Sequence, residues 1–149
     1  MNKVVKTVLL VTHPTRPEAI STANELTKLL TGKQINVFAT IKTVGANDFK
    51  ASDKIDLAVV LGGDGSILRA AELLRGTKAP ILGINAGHFG FMAEAESGSL
   101  ISALDVVISK RYQVRDRLAI EVVVTSQGIE TYRSWALNEV ALEKSARER

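Results

Sequence analysis

Residues 62–65 read Gly-Gly-Asp-Gly, directly after the apolar run Leu57-Ala58-Val59-Val60-Leu61. A strand running into such a turn presents one carboxylate, Asp64, among glycines. Their backbone N–H groups can approach an anion with no Cβ in the way. A phosphate cradle that contains an acid points to metal-assisted phosphoryl chemistry or to capture of a hydroxyl. The turn lacks the Lys and the wider glycine interval of the Walker loop. It is not the G-x-G-x-x-G dinucleotide fingerprint either. The plainer alternative is a tight strand-to-helix connection in which Asp64 merely caps the helix. The order strand, turn, helix is the one in which anions bind in α/β sheets, and it favours the functional reading.

A second glycine-rich loop, Asn85-Ala86-Gly87-His88-Phe89-Gly90-Phe91, follows the next apolar run, Pro80–Ile84. Both loops are therefore expected at the carboxyl edge of one sheet, where such folds place their ligands. Asn85 offers an amide, and His88 can reach phosphate or ribose or simply face solvent. Phe89 and Phe91 can stack on a ring or plug the core beneath the loop. Arg69, one turn into the helix after Asp64, is either a phosphate ligand or a solvated helix residue. Asn138-Glu139 interrupts an apolar stretch. Such a pair either binds ribose hydroxyls or an amide, or marks a solvent-facing strand end. The closing cluster of Lys144, Arg147, Glu148 and Arg149 reads as a charged face from which one residue can reach a phosphate.

The elements that must position these groups alternate in type. Val8-Leu9-Leu10-Val11 has the continuous apolarity of a strand buried on both faces. Thr15 and Glu18 have capping-box spacing, with Pro17 in the first turn. Ala19, Ala23, Leu26 and Leu30 then repeat at helical spacing up to Gly32. Strands are expected at Ile35–Ala39, Leu57–Leu61 and Pro80–Ile84, with a loop over 42–54. Ile67, Ala70, Ala71 and Leu74 form a second helical face ending at Gly76. Leu100, Leu104, Val107, Ile108 and Arg111 form a third. This is the grammar of a parallel, Rossmann-like sheet flanked by helices. It changes near Tyr112. Leu118, Ile120, Val122 and Val124 alternate at period two, Gln127-Gly128 makes a turn, and a strand-like run follows from Ile129 to Leu142. The expected organisation is an α/β nucleotide-binding domain over 1–111 and the start of an antiparallel β-rich domain over 112–149. Two strands alone are marginal in water, so the chain reads as a fragment of a longer protein.

The chain has 149 residues, 46% of them apolar, which is enough for a sizeable core. The absence of cysteine excludes disulfides, thiolate catalysis and cysteine metal sites. A net charge of +3 with scattered Lys and Arg argues against nucleic-acid binding and suits an anionic small ligand. Neither a signal peptide nor a membrane span is legible, so the expected compartment is the cytoplasm.

Together these segments resemble the ATP-dependent NAD kinases, a bacterial member being the nearest in pattern. The likeness rests on Leu61-Gly-Gly-Asp-Gly65, on Pro80–Phe91, on Leu137-Asn-Glu-Val140, and on Arg115-Asp-Arg-Leu118 opening the β part. Diacylglycerol kinases and phosphofructokinases share the glycine-aspartate turn. The second loop and the Asn-Glu pair single out NAD kinase. The resemblance implies transfer of the ATP γ-phosphoryl group to the 2′-hydroxyl of NAD, with Mg²⁺ arriving on ATP. It implies that Asp64 is the base and that Gly65 lines the same site. Asn138 and Glu139 would hold NAD, and Phe91 would pack near adenine with His88 and Arg69 nearby. Arg149 would be a further contact. It also implies a homo-oligomer. A further ligand Asp and a Gly-Ser-Thr-Ala-Tyr segment of the family's second domain do not occur here, so a weak or inactive fragment is expected. The alternatives are a non-catalytic nucleotide-binding module and a lipid or sugar kinase of the same superfamily.

Overall fold

The computed structural model describes residues 5–85, 95–96, 104–105, 108–109 and 112–143. It divides into two compact units, Met1–Gln113 and Val114–Arg149. The first is an α/β sheet structure. Its strands are β1 (Thr7–Thr12), β2 (Asn36–Ala39), β3 (Asn47–Asp48), β4 (Leu57–Leu61), β5 (Ile81–Asn85) and β6 (Ala95–Glu96). They pair in the order β3-β2-β1-β4-β5-β6, all parallel. Helix α1 (Pro17–Gly32) follows β1, and α2 (Asp64–Leu73) follows β4.

Period-two geometry sends alternate side chains of each strand to opposite faces. Val8 and Leu10 of β1, with Leu57, Val59 and Leu61 of β4, pack against Ala19, Ala23, Leu26 and Leu30 of α1. Leu9, Val11, Ala58 and Val60 pack on the other face against Ile67 and Ala70 of α2 and against Leu74. Both faces of β1 and β4 are thus covered, which is why these runs are apolar without alternation. Leu104, a helical residue, is buried in the α1-side core, and Ile108 packs against it.

Two helix ends depart from expectation. Thr15 is not the cap of α1. Pro17 occupies the first helical position and holds the preceding residue extended, so Arg16 becomes the cap (φ −92°, ψ 112°) with no side-chain hydrogen bond. The Thr15 backbone N–H instead donates to His13 Nδ1 at 3.4 Å. At the other end, Gly32 lies inside α1, and the left-handed residue is Gln34 (φ 61°). Gly76 does take the left-handed conformation (φ 81°) after α2.

The second unit is an antiparallel hairpin of β7 (Ala119–Ser126) and β8 (Ile129–Leu137). Gln127 and Gly128 join the strands, both with positive φ (51° and 82°), as a two-residue turn matching strand twist requires. None of its described residues is buried. Arg133 donates to Glu130 from Nε and Nη2 (2.8 and 2.7 Å) and pairs with Glu121, drawing the Glu130 carboxyl below its usual range. These pairs are exposed and add little stability. β8 ends at Leu137 instead of running on to Leu142, because Asn138 turns left-handed (φ 69°).

Candidate active site

The sheet reverses its winding between β1 and β4. β2 and β3 extend it on one side, and β5 and β6 on the other. Right-handed crossovers then place α1 and α2 on opposite faces. Their N-terminal ends flank a gap above the carboxyl ends of β1 and β4. Open α/β sheets bind ligands at such a switch point. The gap is a cleft of about 370 Å³, lined by Thr12, His13, Pro14, Arg16, Gly63, Gly65, Ser66 and Arg69. That volume lies in the range of small-molecule sites. The β1–β4 ladder continues into the cleft rim, where His13 N–H donates to the Leu61 carbonyl at 3.3 Å.

The three glycines of the turn have separate reasons. A Cβ on Gly62 would run into Ser66, at Oγ and at the less movable Cβ (2.9 Å), so packing under the first turn of α2 favours glycine there. A Cβ on Gly63 or Gly65 would meet nothing within 4 Å. Gly63 has an extended backbone open to any residue (φ −91°), and Gly65 is helical. Neither the fold nor the packing calls for glycine there. Both line the cleft, where the missing Cβ leaves room for a ligand to approach the backbone.

Neither helix is capped by a side chain. The N–H groups of a first turn have no intrahelical partner, and the helix dipole adds partial positive charge there. Arg16 and Arg69 also line the cleft, and neither forms an ion pair among the described residues. The wall is rich in donors and suited to an anion.

Asp64 is the first residue of α2, partly buried between Gly63 and Gly65. Its side chain is not part of the cleft wall, whereas Gly65 and Arg69 are. Asn138 and Glu139 belong to the other unit. They are exposed and sit in a tight turn in which Asn138 N–H donates to the Leu118 carbonyl (2.8 Å) and Glu139 N–H to the Leu137 carbonyl (2.9 Å). The pair therefore occupies a strand end, not the middle of a strand. Asparagine tolerates the left-handed conformation better than most residues. His88, Phe91 and Arg149 lie outside the described residues. Thr12, His13 and Arg16 were not legible as site residues. Their one signal is the segment His13-Pro14-Thr15-Arg16-Pro17, charged and proline-stiffened, straight after a buried strand. Among the described residues no three His, Cys, Asp or Glu side chains gather as a metal cage, and no described helix is long and apolar enough to cross a membrane.

A parallel sheet with a glycine-carboxylate turn and a donor-rich cleft at its switch point defines a doubly wound α/β protein whose cleft is suited to an anion. Comparison with known proteins narrows the class. The family profile of the ATP-NAD kinase N-terminal domain matches residues 8–112. The chain belongs to the NAD kinase family. It is 40% identical over 165 residues to the NAD kinase of Mycobacterium tuberculosis (strain CDC 1551 / Oshkosh), an alignment covering 95% of this chain and 53% of that one. It thus spans about half the length of the curated relatives it matches. Its fold resembles yeast NADH kinase, solved in complex with NADH (TM-score 0.75, 19% identity, 90% of this chain and 47% of that one). It also resembles an NAD kinase from Archaeoglobus fulgidus, solved with ATP (TM-score 0.51, 22% identity, 83% of this chain and 44% of that one).

Proposed function

We propose that the protein is an NAD kinase, which transfers the γ-phosphoryl group of ATP to the 2′-hydroxyl of the adenosine ribose of NAD and yields NADP. The observation that carries this reading is Asp64 at the start of α2, between two glycines that open on the cleft, in a chain of this family. A carboxylate is too weak a base to ionise a sugar hydroxyl in advance. Phosphoryl transfer is mostly loose, so the proton need leave only as the new bond forms. Asp64 then orients the hydroxyl and accepts its proton late. Because its carboxylate stands outside the cleft wall, donor phosphates and acceptor hydroxyl would approach the turn from different sides.

In this reading the N–H groups of the α2 first turn, with Gly65 and Arg69, offset charge on the migrating group. Mg²⁺ would enter as the ATP complex, neutralising phosphate oxygens. Asn138 and Glu139 would hold NAD from the second unit, with His88, Phe91 and Arg149 as further contacts. Cytoplasmic location and homo-oligomeric assembly go with the same reading.

The test is NADP formation from NAD and ATP by residues 1–149 joined to the second half of the M. tuberculosis relative. Asp64→Asn is expected to lower turnover by about a thousandfold while NAD binding persists. Turnover near that of the unchanged protein would remove Asp64 from the role of base. Residues 1–149 alone are expected to turn over far more slowly than the joined protein.

A further inference from the structure

The cleft and the Asp64 turn occupy the carboxyl edge of the parallel sheet. The opposite, amino edge carries a charge pattern of its own. Lys33 stands three residues ahead of β2, Lys54 three ahead of β4 and Lys78 three ahead of β5, and Lys6 directly precedes β1. These lysines are far apart in sequence. Parallel pairing sets the starts of their strands side by side in the order β2, β1, β4, β5. Neighbouring strands lie about 5 Å apart, so the four lysine-bearing segments enter the edge across about 15 Å.

All four lysines are exposed, and none of their ammonium groups has a hydrogen bond or ion pair among the described residues. The acids of this edge face other groups. Asp56 Oδ2 accepts the backbone N–H groups of Lys6 and Thr7 (3.0 and 3.1 Å), Asp53 accepts that of Lys50 (2.7 Å), and Glu72 pairs with Arg75 (4.0 Å). Cations are favoured at helix C-termini, which accounts for Lys33 after α1 and Lys78 after α2. Lys6 and Lys54 stand at no described helix end, so the dipole does not account for the row.

We infer that the amino edge of the sheet is a docking surface for an acidic segment of a partner protein, gripped by the lysines ahead of β2, β1, β4 and β5. Charge and chemistry choose this partner among polyanions. The segments 33–35, 54–56 and 78–80 hold no aromatic residue on which a base could stack, and the row is lysine where phosphate recognition favours arginine. Ile35 is buried and Ile55 packs on the core, so these segments offer no exposed apolar side chain for insertion into a lipid surface. Carboxylates on one face of an acidic helix recur about every 5–6 Å, close to the strand spacing. A partner held there leaves the cleft at the carboxyl edge open.

Binding of fluorescein-labelled poly-L-glutamate to the 149-residue chain, read by anisotropy, tests the surface. At physiological ionic strength, screening over about 8 Å confines attraction to nearby charges. Lys6→Ala with Lys54→Ala is expected to weaken binding about tenfold, without lowering the thermal midpoint, since both side chains are exposed. Arg16→Ala with Arg69→Ala removes the same charge from the cleft and is expected to change affinity less than about twofold. Lys54→Glu is expected to weaken binding more than Lys54→Ala, because the contact is electrostatic. Absence of binding, or equal weakening by the lysine and arginine pairs, would overturn the surface. Loss in the arginine pair alone would put the probe in the cleft and overturn it as well. Phosphatidylserine vesicles and oligouridylate are run beside the peptide. Tighter binding of either, with the same lysine dependence, would give the edge to a membrane or to RNA and overturn the protein partner. None of these readouts needs NADP formation, so the docking surface and the kinase reading stand or fall separately.

Discussion

The α/β unit and the hairpin carry similar apolar residues and use them differently. In β1 and β4 every residue from Val8 to Val11 and from Ala58 to Leu61 is fully buried, because helices cover both faces of the sheet. In β7 and β8 the apolar residues alternate, and even Ile120, Val122 and Trp135 are only half-buried. A layered sheet converts apolar sequence into stability, whereas a two-stranded ribbon shields little of it from water. The difference bears on function. The cleft is built on the rigid unit, at strand ends fixed by packing on two sides. Asn138 and Glu139 hang on an exposed turn.

The comparison breaks first at Asp64, where the largest effect is expected. Asp64→Asn in the joined protein should remove about 4 kcal/mol of transition-state stabilisation, read as turnover. Core truncation comes next. Leu10→Ala should destabilise the α/β unit by about 2–5 kcal/mol in denaturant unfolding, and Val123→Ala in the hairpin by less than about 0.5 kcal/mol. Similar losses from both would erase the contrast between the units. The glycine turn sharpens it further. Gly62→Ala should cost about 1–3 kcal/mol through the clash with Ser66. Gly65→Ala should stabilise α2 by up to about 1 kcal/mol and still weaken ATP binding, read by calorimetry. If Gly65→Ala left binding intact, the space beside it would not be ligand space. The smallest effect is expected in the hairpin turn. Gln127→Asn should raise hairpin stability by a few tenths of a kcal/mol, seen in amide exchange, because Asn accepts positive φ more readily.

Much of the α/β unit was legible. Leu57–Leu61 is a strand over the expected residues, and the Gly-Gly-Asp-Gly turn opens a helix as its sequence implies. Ala19, Ala23, Leu26 and Leu30 form the buried stripe of α1. These readings succeed because burial on both faces and helical periodicity are local patterns. Thr15 was misread because a cap depends on backbone dihedrals, and Pro17 moves the start by one residue. The end of β8 was misread because Asn138 breaks an apolar run by conformation, not by composition.

The sequence by itself determined the strand and helix types, the carboxylate in its turn, and a family resemblance that the comparisons bear out. It did not determine that the loop after β1 also meets that turn. The reading paired the β4 turn with the loop after β5, the neighbour in chain order. The described structure adds the loop after β1, since β4 lies beside β1 as well as β5 and the winding reverses between β1 and β4; the loop after β5 lies outside the described residues. Strand order is a property of long-range pairing, set by which faces the helices can cover with right-handed crossovers. It leaves no local signature at Thr12, His13 or Arg16. Only the assembled sheet brings those residues to the mouth of the Asp64 turn.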